Sequence, residues 1–298
     1  MYKNLNNWWI VGLFDAEGSF VVNVIRDNTR KTGYNVIISI EMAMNYKDKD
    51  LIENIKNIFN IGNIYFNSND KTYKWKVSNL EDIYKIIPFF NKYNLLTQKR
   101  VDFEIFTKIV DIIKSKEHLT QEGLQKIIDL KVLLNLGLSD KLKEAFPNTN
   151  YMMRSKINFK EIPDPNWLSG FSEGEGCFYI SIYKSPKSKI GLATQLVFKL
   201  TQHIRDYSLL KGIEDYLKCG RVEIRKNKEG CDYTVTSIKA LKEYIIPFFE
   251  KYPLEGSKLL NYEDFKKAFE IVKAKDHLTE EGMKKLQEIK VSMNTGRK

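Results

Sequence analysis

The sequence predicts an α+β protein made of two copies of one unit, each running helix, two strands, helix, two strands, helices, an αββαββα order given twice. Two observations predict it: an internal duplication, and within each copy a switch between helical and alternating apolar spacing. Ile86-Ile87-Pro88-Phe89-Phe90-Asn91-Lys92-Tyr93 recurs 159 residues later as Ile245-Ile246-Pro247-Phe248-Phe249-Glu250-Lys251-Tyr252, with only Asn91 and Glu250 differing. At the same offset, 99–137 and 258–296 share 17 identities in 39 positions, including His118-Leu119-Thr120 against His277-Leu278-Thr279. Near the starts, residues 9–20 match 167–178 at an offset of 158. The chain therefore divides into a first repeat (1–137), a connector (138–165) and a second repeat (166–298). The connector is polar, contains Pro147, Pro163 and Pro165, and has a short helical piece around Asp140–Phe146.

Each element follows from local pattern. The opening segment of each copy reads as a helix stopped by Gly18 or Gly176. Alternating apolar residues then predict strands at Ser19–Ile25 and Tyr34–Ala43, a helix at Asp50–Phe59, and strands at Gly62–Phe66 and Tyr73–Ser78. Helices at Leu80–Phe90, Arg100–Ser115 and Thr120–Leu134 complete the first copy. The second copy repeats these helices, with strands at Cys177–Tyr183, Thr194–Thr201, Gly220–Arg225 and Tyr233–Thr236.

Composition narrows the class. Of 298 residues, 43% are hydrophobic and 29% charged, enough apolar material for a core and unlike a disordered polymer. No apolar run approaches the roughly eighteen residues of a membrane span, so no membrane association is expected. Cys177, Cys219 and Cys231 are odd in number and lack ligand spacing, which argues against a disulfide framework and a structural zinc site. With 48 Lys+Arg against 38 Asp+Glu, the formal charge of +10 favours a polyanionic partner.

Small residues on the two opening helices locate a candidate site. Gly12 and Ala16, like Gly170 and Gly174, are four apart, so each helix has a stripe along which another backbone can approach. If the two stripes pack about a pseudo-twofold axis, Glu17 and Glu175 arrive side by side at helix C-termini, where like charges and the macrodipole both disfavour them. A divalent cation would compensate. Two carboxylates with backbone carbonyls form a hard oxygen site of the kind Mg²⁺ uses, and in a basic protein this points to phosphodiester hydrolysis.

These residues resemble the motif of the LAGLIDADG homing endonucleases in their single-chain, two-motif form, fungal mitochondrial intron-encoded members above all. The resemblance is carried by Ile10-Val11-Gly12-Leu13-Phe14-Asp15-Ala16-Glu17-Gly18 and Leu168-Ser169-Gly170-Phe171-Ser172-Glu173-Gly174-Glu175-Gly176 and extends over nearly the whole chain. It implies, in each repeat, a curved four-stranded antiparallel sheet, with the repeats packed through the two central motif helices. It further implies a monomer with internal pseudo-twofold symmetry and no obligate protein partner. The implied activity is Mg²⁺-dependent, site-specific cleavage of double-stranded DNA across the minor groove, leaving short 3′ overhangs. Mn²⁺ or Ca²⁺ would substitute for binding, and Ca²⁺ would not support cleavage. Glu17 and Glu175 would be metal-binding catalytic acids, with the carbonyls of Ala16 and Gly174 as further ligands, and Asp15 and Glu173 would be structural. Lys99 and Lys258 are assigned as the lysines near the cleavage centre and Gln202 as the amide that positions water. The first-copy position matching Gln202 is Met44, so the two half-sites are chemically unequal.

Two antiparallel sheets could span about two helical turns of duplex, a target of roughly 20 base pairs. Alternation places Ser19, Val21, Asn23 and Ile25 on the face opposite Phe20, Val22 and Val24, with Cys177, Tyr179, Ser181 and Tyr183 as counterparts. The remaining strands offer Asn35, Ser39, Glu41, Lys74, Lys76, Ser78, Gln195, Lys199, Thr201, Arg221, Glu223, Arg225, Thr234 and Thr236 as DNA-contacting residues. Core segments repeat while these positions differ, Asn23 against Ser181 for example, which predicts a non-palindromic target. Loops Arg26–Gly33 and Lys184–Gly191 read as flexible, phosphate-contacting tips.

His118 and His277 precede Thr120 and Thr279, plausible N-caps, and are read as packing or capping residues; His203 has no repeat partner. Competing functions are an RNA maturase of the same fold, disfavoured because both acids are kept, and a catalytically silent DNA-binding protein. Abundant Asn, Ile, Lys and Tyr, with AT-rich codons, fit a mitochondrial gene. The segment before the motif is too short for an Arg-rich transit peptide.

Overall fold

The computed structural model describes residues 4–134, 137–151, 153–157 and 159–297. The first copy runs α1 (Asn7–Glu17), β1 (Gly18–Arg26), β2 (Tyr34–Asn45), α2 (Lys49–Phe59), β3 (Asn63–Asn67), β4 (Thr72–Val77), α3 (Leu80–Lys92), α4 (Lys99–Lys114) and α5 (Gln121–Lys131). After α6 (Asp140–Ala145), the second runs α7 (Pro165–Glu175), β5 (Gly176–Lys184), β6 (Leu192–His203), α8 (Tyr207–Leu217), β7 (Arg221–Ile224) and β8 (Gly230–Val235). It ends with α9 (Ile238–Ala240), a π-helical turn (Leu241–Ile245), α10 (Ile246–Lys251), α11 (Lys258–Lys273) and α12 (Glu280–Val291). The α+β order is the one expected, and each sheet is four-stranded and antiparallel, β1-β2-β4-β3 and β5-β6-β8-β7. No helix among the described residues is long and apolar enough to cross a membrane.

The chain condenses into two compact units, Met1–Asn7 with Glu17–Asn158, and Trp8–Ala16 with Phe159–Lys298. In the first, Phe20 packs against Phe90, Phe103 and Phe106 with ring centroids 5.3–5.8 Å apart, which fixes α3 and α4 on one face of the sheet. Connector residue Arg154 ties back by donating to both Asp102 carboxylate oxygens and to the Leu133 and Gln98 carbonyls. In the second unit Phe178 occupies the corresponding place, surrounded by Phe198, Phe249, Tyr262 and Phe265.

Helix α1 belongs with the second unit for most of its length, where its glycine meets α7. A Cβ on Gly12 would lie 2.7 Å from the Phe171 amide nitrogen and closer still to the Trp167 carbonyl. A Cβ on Gly170 would lie 2.7 Å from the Trp9 carbonyl carbon. Gly12 and Gly170, the first residue of each stripe, are thus points of backbone contact, and Trp9 through Asp15 are buried on every side. Helix α7 starts on an Asp164 cap that accepts from the Asn166 amide at 2.8 Å, with Pro165 at its first position.

Helix α7 stops at Gly176 as expected, with φ −72°, and a Cβ there would strike the Ser172 carbonyl. Two expectations need correction. Ser78 and Thr236 fall just beyond β4 and β8. The repeated Pro-Phe-Phe segments also differ locally: Pro88 lies within continuous α3, whereas Pro247 follows a π-helical turn.

Gly170→Ala should cost about 1–3 kcal/mol from overpacking and lower the melting temperature by roughly 2–12 °C in a thermal scan, because the obstacle is backbone and cannot rotate away. An unchanged melting temperature would show that the helices can separate without loss.

Candidate active site and nucleic-acid interface

The end of α7 assembles the chemistry of the second unit. Glu173, buried, turns from the helix and accepts from three backbone amides at the start of α11: Glu255 (2.8 Å) and Gly256 (3.0 Å) on Oε2, Lys258 (3.2 Å) on Oε1. A carboxylate at a helix N-terminus satisfies orphan donors and complements the macrodipole. It also fixes Lys258, whose Nζ donates to the Gly174 carbonyl at 2.7 Å. Glu175, the next residue but one after Glu173, is only partly buried. It lines an open cleft of about 330 Å³ with Thr201, Gln202, His203, Arg225, Asn227, Glu229 and Gly230. Glu175, Gly174, Lys258 and Gln202, all chosen from sequence, thus converge within one unit.

The first copy carries the matching positions on α1 and α4. Glu17 is the exposed last residue of α1 and Ala16 beside it is partly buried. Asp15, the counterpart of Glu173, accepts the Trp167 indole N–H at 2.8 Å within the second unit. Lys99 opens α4 as Lys258 opens α11, its amide donating to Thr97 Oγ1 at 3.1 Å. Met44, at the position of Gln202, is buried, so this copy offers no amide there.

As for a metal, the hard oxygens of Gly174 and Glu175 suit Mg²⁺ or Ca²⁺, and the Gly174 carbonyl also accepts from the Lys258 ammonium. Among the described residues no group of three or more His, Cys, Asp or Glu converges.

The sheet faces follow the expected alternation. Cross-strand partners Ser19–Glu41, Val21–Ser39 and Ile25–Asn35 share one face in the first sheet, and Cys177–Lys199, Ser181–Gln195 and Thr201–Asp232 share it in the second. Asn23, Ile25, Tyr183, Gln195, Arg221, Glu223 and Arg225 are exposed, while Tyr179 and Thr234 are partly so. Ser39 and Glu41 lie on this face yet are buried, because Lys74 and Lys76 close over Glu41 at 2.9 and 3.0 Å and Ser39 donates to it at 2.7 Å. Burial pushes the Glu41 carboxyl up, but hydrogen bonds from Lys74, Ser39 and Lys76 outweigh it and hold it below its ordinary value.

The sequence reading missed Asp232, which accepts from Lys199 (2.9 Å), Arg225 (2.8 Å) and Thr201 (2.7 Å). Burial again opposes ionisation, and the hydrogen bonds from Arg225, Thr201 and Lys199 prevail, lowering its carboxyl to about 2. Starting the last strand at Tyr233 hid it; the repeat offset, which places 232 on 74, could have found it.

The loop tips are closed by hydrogen-bonded turns. Asp27 N–H bonds the Gly33 carbonyl at 2.8 Å and Ser185 N–H the Gly191 carbonyl at 2.9 Å, with Gly33 and Gly191 at φ +75° and +70°. Thr120 and Thr279 cap their helices by accepting from Gly123 and Gly282, as expected. His203 Nδ1 accepts from the Arg205 amide, the role Asn45 fills for Lys47 in the first copy, so it too is a cap.

A family model described as LAGLIDADG endonuclease matches residues 10–110 and 168–269. Among curated relatives, the probable intron-encoded endonuclease 2 of Neurospora crassa is 38% identical across 98% of this chain, which spans 66% of that protein's length. Among solved structures, the homing endonuclease I-LtrWI bound to target DNA is 57% identical, with 98% of each chain covered and a TM-score of 0.94. I-SmaMI bound to cleaved DNA is 41% identical over 100% of this chain and 99% of its own, at 0.95, and is also known on uncleaved target in the presence of calcium ions. The chain belongs to the LAGLIDADG endonuclease family.

Because Asp232 binds its proton less tightly when folded, at about 2 against an ordinary 3.8, its ion-pair cluster stabilises fully above the unfolded value and is lost as pH falls through the folded one. The melting-temperature gap between the parent and Asp232→Asn should therefore hold steady above about pH 5 and shrink toward pH 2. A gap independent of pH down to 2 would contradict this.

Proposed function

We propose that the chain is a site-specific double-strand DNA endonuclease. It hydrolyses phosphodiesters at a non-palindromic target of roughly 20 base pairs, cutting across the minor groove to leave short 3′ overhangs. The observation that carries this reading is the convergence of Glu175, the Gly174 carbonyl, Lys258 and Gln202 at the end of a motif helix, in a family whose structural relatives hold target DNA. The chain acts as a monomer of two DNA-reading repeats, 1–137 and 166–298, joined by the connector 138–165, and is encoded in a mitochondrial intron.

In this reading Glu17 and Glu175, with the carbonyls of Ala16 and Gly174, hold Mg²⁺, with Ca²⁺ supporting binding and not cleavage. The bound metal would polarise the scissile phosphate and lower the pKa of its water. The chain's own groups do the rest. Glu173 keeps α11 in place, so the Lys258 ammonium stands ready to neutralise charge accumulating on phosphate oxygens. Lys99 has that task in the other half. Gln202, neutral and in the Glu175 cleft, orients a water by donating or accepting one hydrogen bond without competing for its proton. Met44 cannot do so, and the half-site it serves should cut more slowly. The exposed sheet faces supply base and phosphate contacts through the strand residues named above.

Incubated with target duplex and Mg²⁺, the parent should cut both strands. Glu17→Gln and Glu175→Gln should bind with parental affinity in Ca²⁺ and cut at least 10³-fold more slowly, and Lys258→Met about 10²-fold more slowly. Parental binding without cutting by the parent itself would instead identify a silent DNA-binding protein, and tight binding to intron RNA alone a maturase.

A further inference from the structure

The exposed faces of the two sheets carry the same cluster with its charges exchanged. In the first sheet Glu41 on β2 pairs with Lys74 on β4 at 2.9 Å, one step diagonal to its direct partner Lys76. In the second, Lys199 on β6 pairs with Asp232 on β8, also at 2.9 Å and also one step diagonal to a direct partner, Thr234. The repeat offset of 158 maps 41 onto 199 and 74 onto 232, so acid and base have changed places between strands. The composition is nevertheless preserved: one carboxylate, two cations and one hydroxyl, Glu41 with Lys74, Lys76 and Ser39 against Asp232 with Lys199, Arg225 and Thr201.

The layering is also preserved. The carboxylates lie beneath, with side chains 10% and 16% exposed, and the cations above them, at 27–44%. Such an acid is costly on a surface that meets a polyanion, because it repels phosphate and lowers sequence-independent attraction. What it gives in return is order. A free lysine or arginine retains many rotamers, whereas one held on a fixed carboxylate presents its remaining N–H donors in one direction, the requirement for reading guanine O6 and N7. Both carboxylates already accept from two cations and a hydroxyl, which competes with any use of them as acceptors for cytosine.

We propose that Glu41 and Asp232 are specificity-determining positioning residues, each fixing two basic side chains so that its half of the protein reads base edges of double-stranded DNA rather than merely attracting phosphate. The exchanged polarity gives the two halves different donor arrangements from one cluster, as a non-palindromic target requires. This rests on the reading that the sheet faces bind duplex DNA.

The test uses the full chain in Ca²⁺, measuring anisotropy on its library-selected target and on random duplex of the same length. Glu41→Gln and Asp232→Asn should each bind random duplex about two- to fivefold more tightly at low salt and lose about tenfold of their preference for target. The relaxed base pairs should fall in one half-site for the first variant and in the other for the second. Unchanged preference in folded variants would overturn the proposal while leaving DNA binding intact. The double variant Glu41→Lys with Lys74→Asp restores the ion pair with the second sheet's polarity. It should melt like the parent yet prefer different bases in the same half-site, and unaltered base preference would show the cluster to be structural only. A parent that does not prefer any duplex over random would instead sink the underlying DNA-binding reading.

Discussion

Everything at the candidate site depends on one close approach of main chains. Gly12 admits the carbonyl of Trp167, and Gly170 admits that of Trp9, leaving no room for a side chain on either helix at the crossing. The tryptophans that flank the crossing close it: Trp167 stacks on Phe171 at 4.8 Å and donates its indole N–H to Asp15 at 2.8 Å. A buried carboxylate needs such donors, since an unpaired charge there would cost several kcal/mol. Asp15 is therefore buried and paired, whereas Glu17, two residues on, is exposed.

In the second copy, too, a buried acid precedes an outward one. Glu173 spends its lone pairs on the amides that begin α11, and so sets Lys258 against the Gly174 carbonyl next to Glu175. A helix terminus, a backbone carbonyl and a lysine are thus placed by one buried side chain. Neighbouring acids in the motif differ in burial: those at 15 and 173 are enclosed and hydrogen-bonded, those at 17 and 175 reach solvent.

Much of this was legible in the sequence because a duplication tests each pattern twice. The glycine stripe, the threonine caps at 120 and 279, and the alternation that separates Phe20 and Phe178 from the outward residues all recur and all hold. What was illegible lies where the copies diverge or where contacts are long-range. Asp232 escaped because the last strand was started one residue late, and no propensity rule links an acid on β8 to Lys199 on β6 and Arg225 just after β7. Ser39 and Glu41 were placed on the right face, but alternation knows nothing of the lysines that cover them.

The most direct measurement is digestion of a randomised duplex library by the parent chain in Mg²⁺, with the cut ends sequenced. The expected result is enrichment of one non-palindromic sequence of roughly 20 base pairs, cut on both strands at a fixed stagger. Recovery of uncut DNA alone, from conditions in which the chain demonstrably binds duplex, would contradict the assignment of Glu17 and Glu175 as the acids of a nuclease.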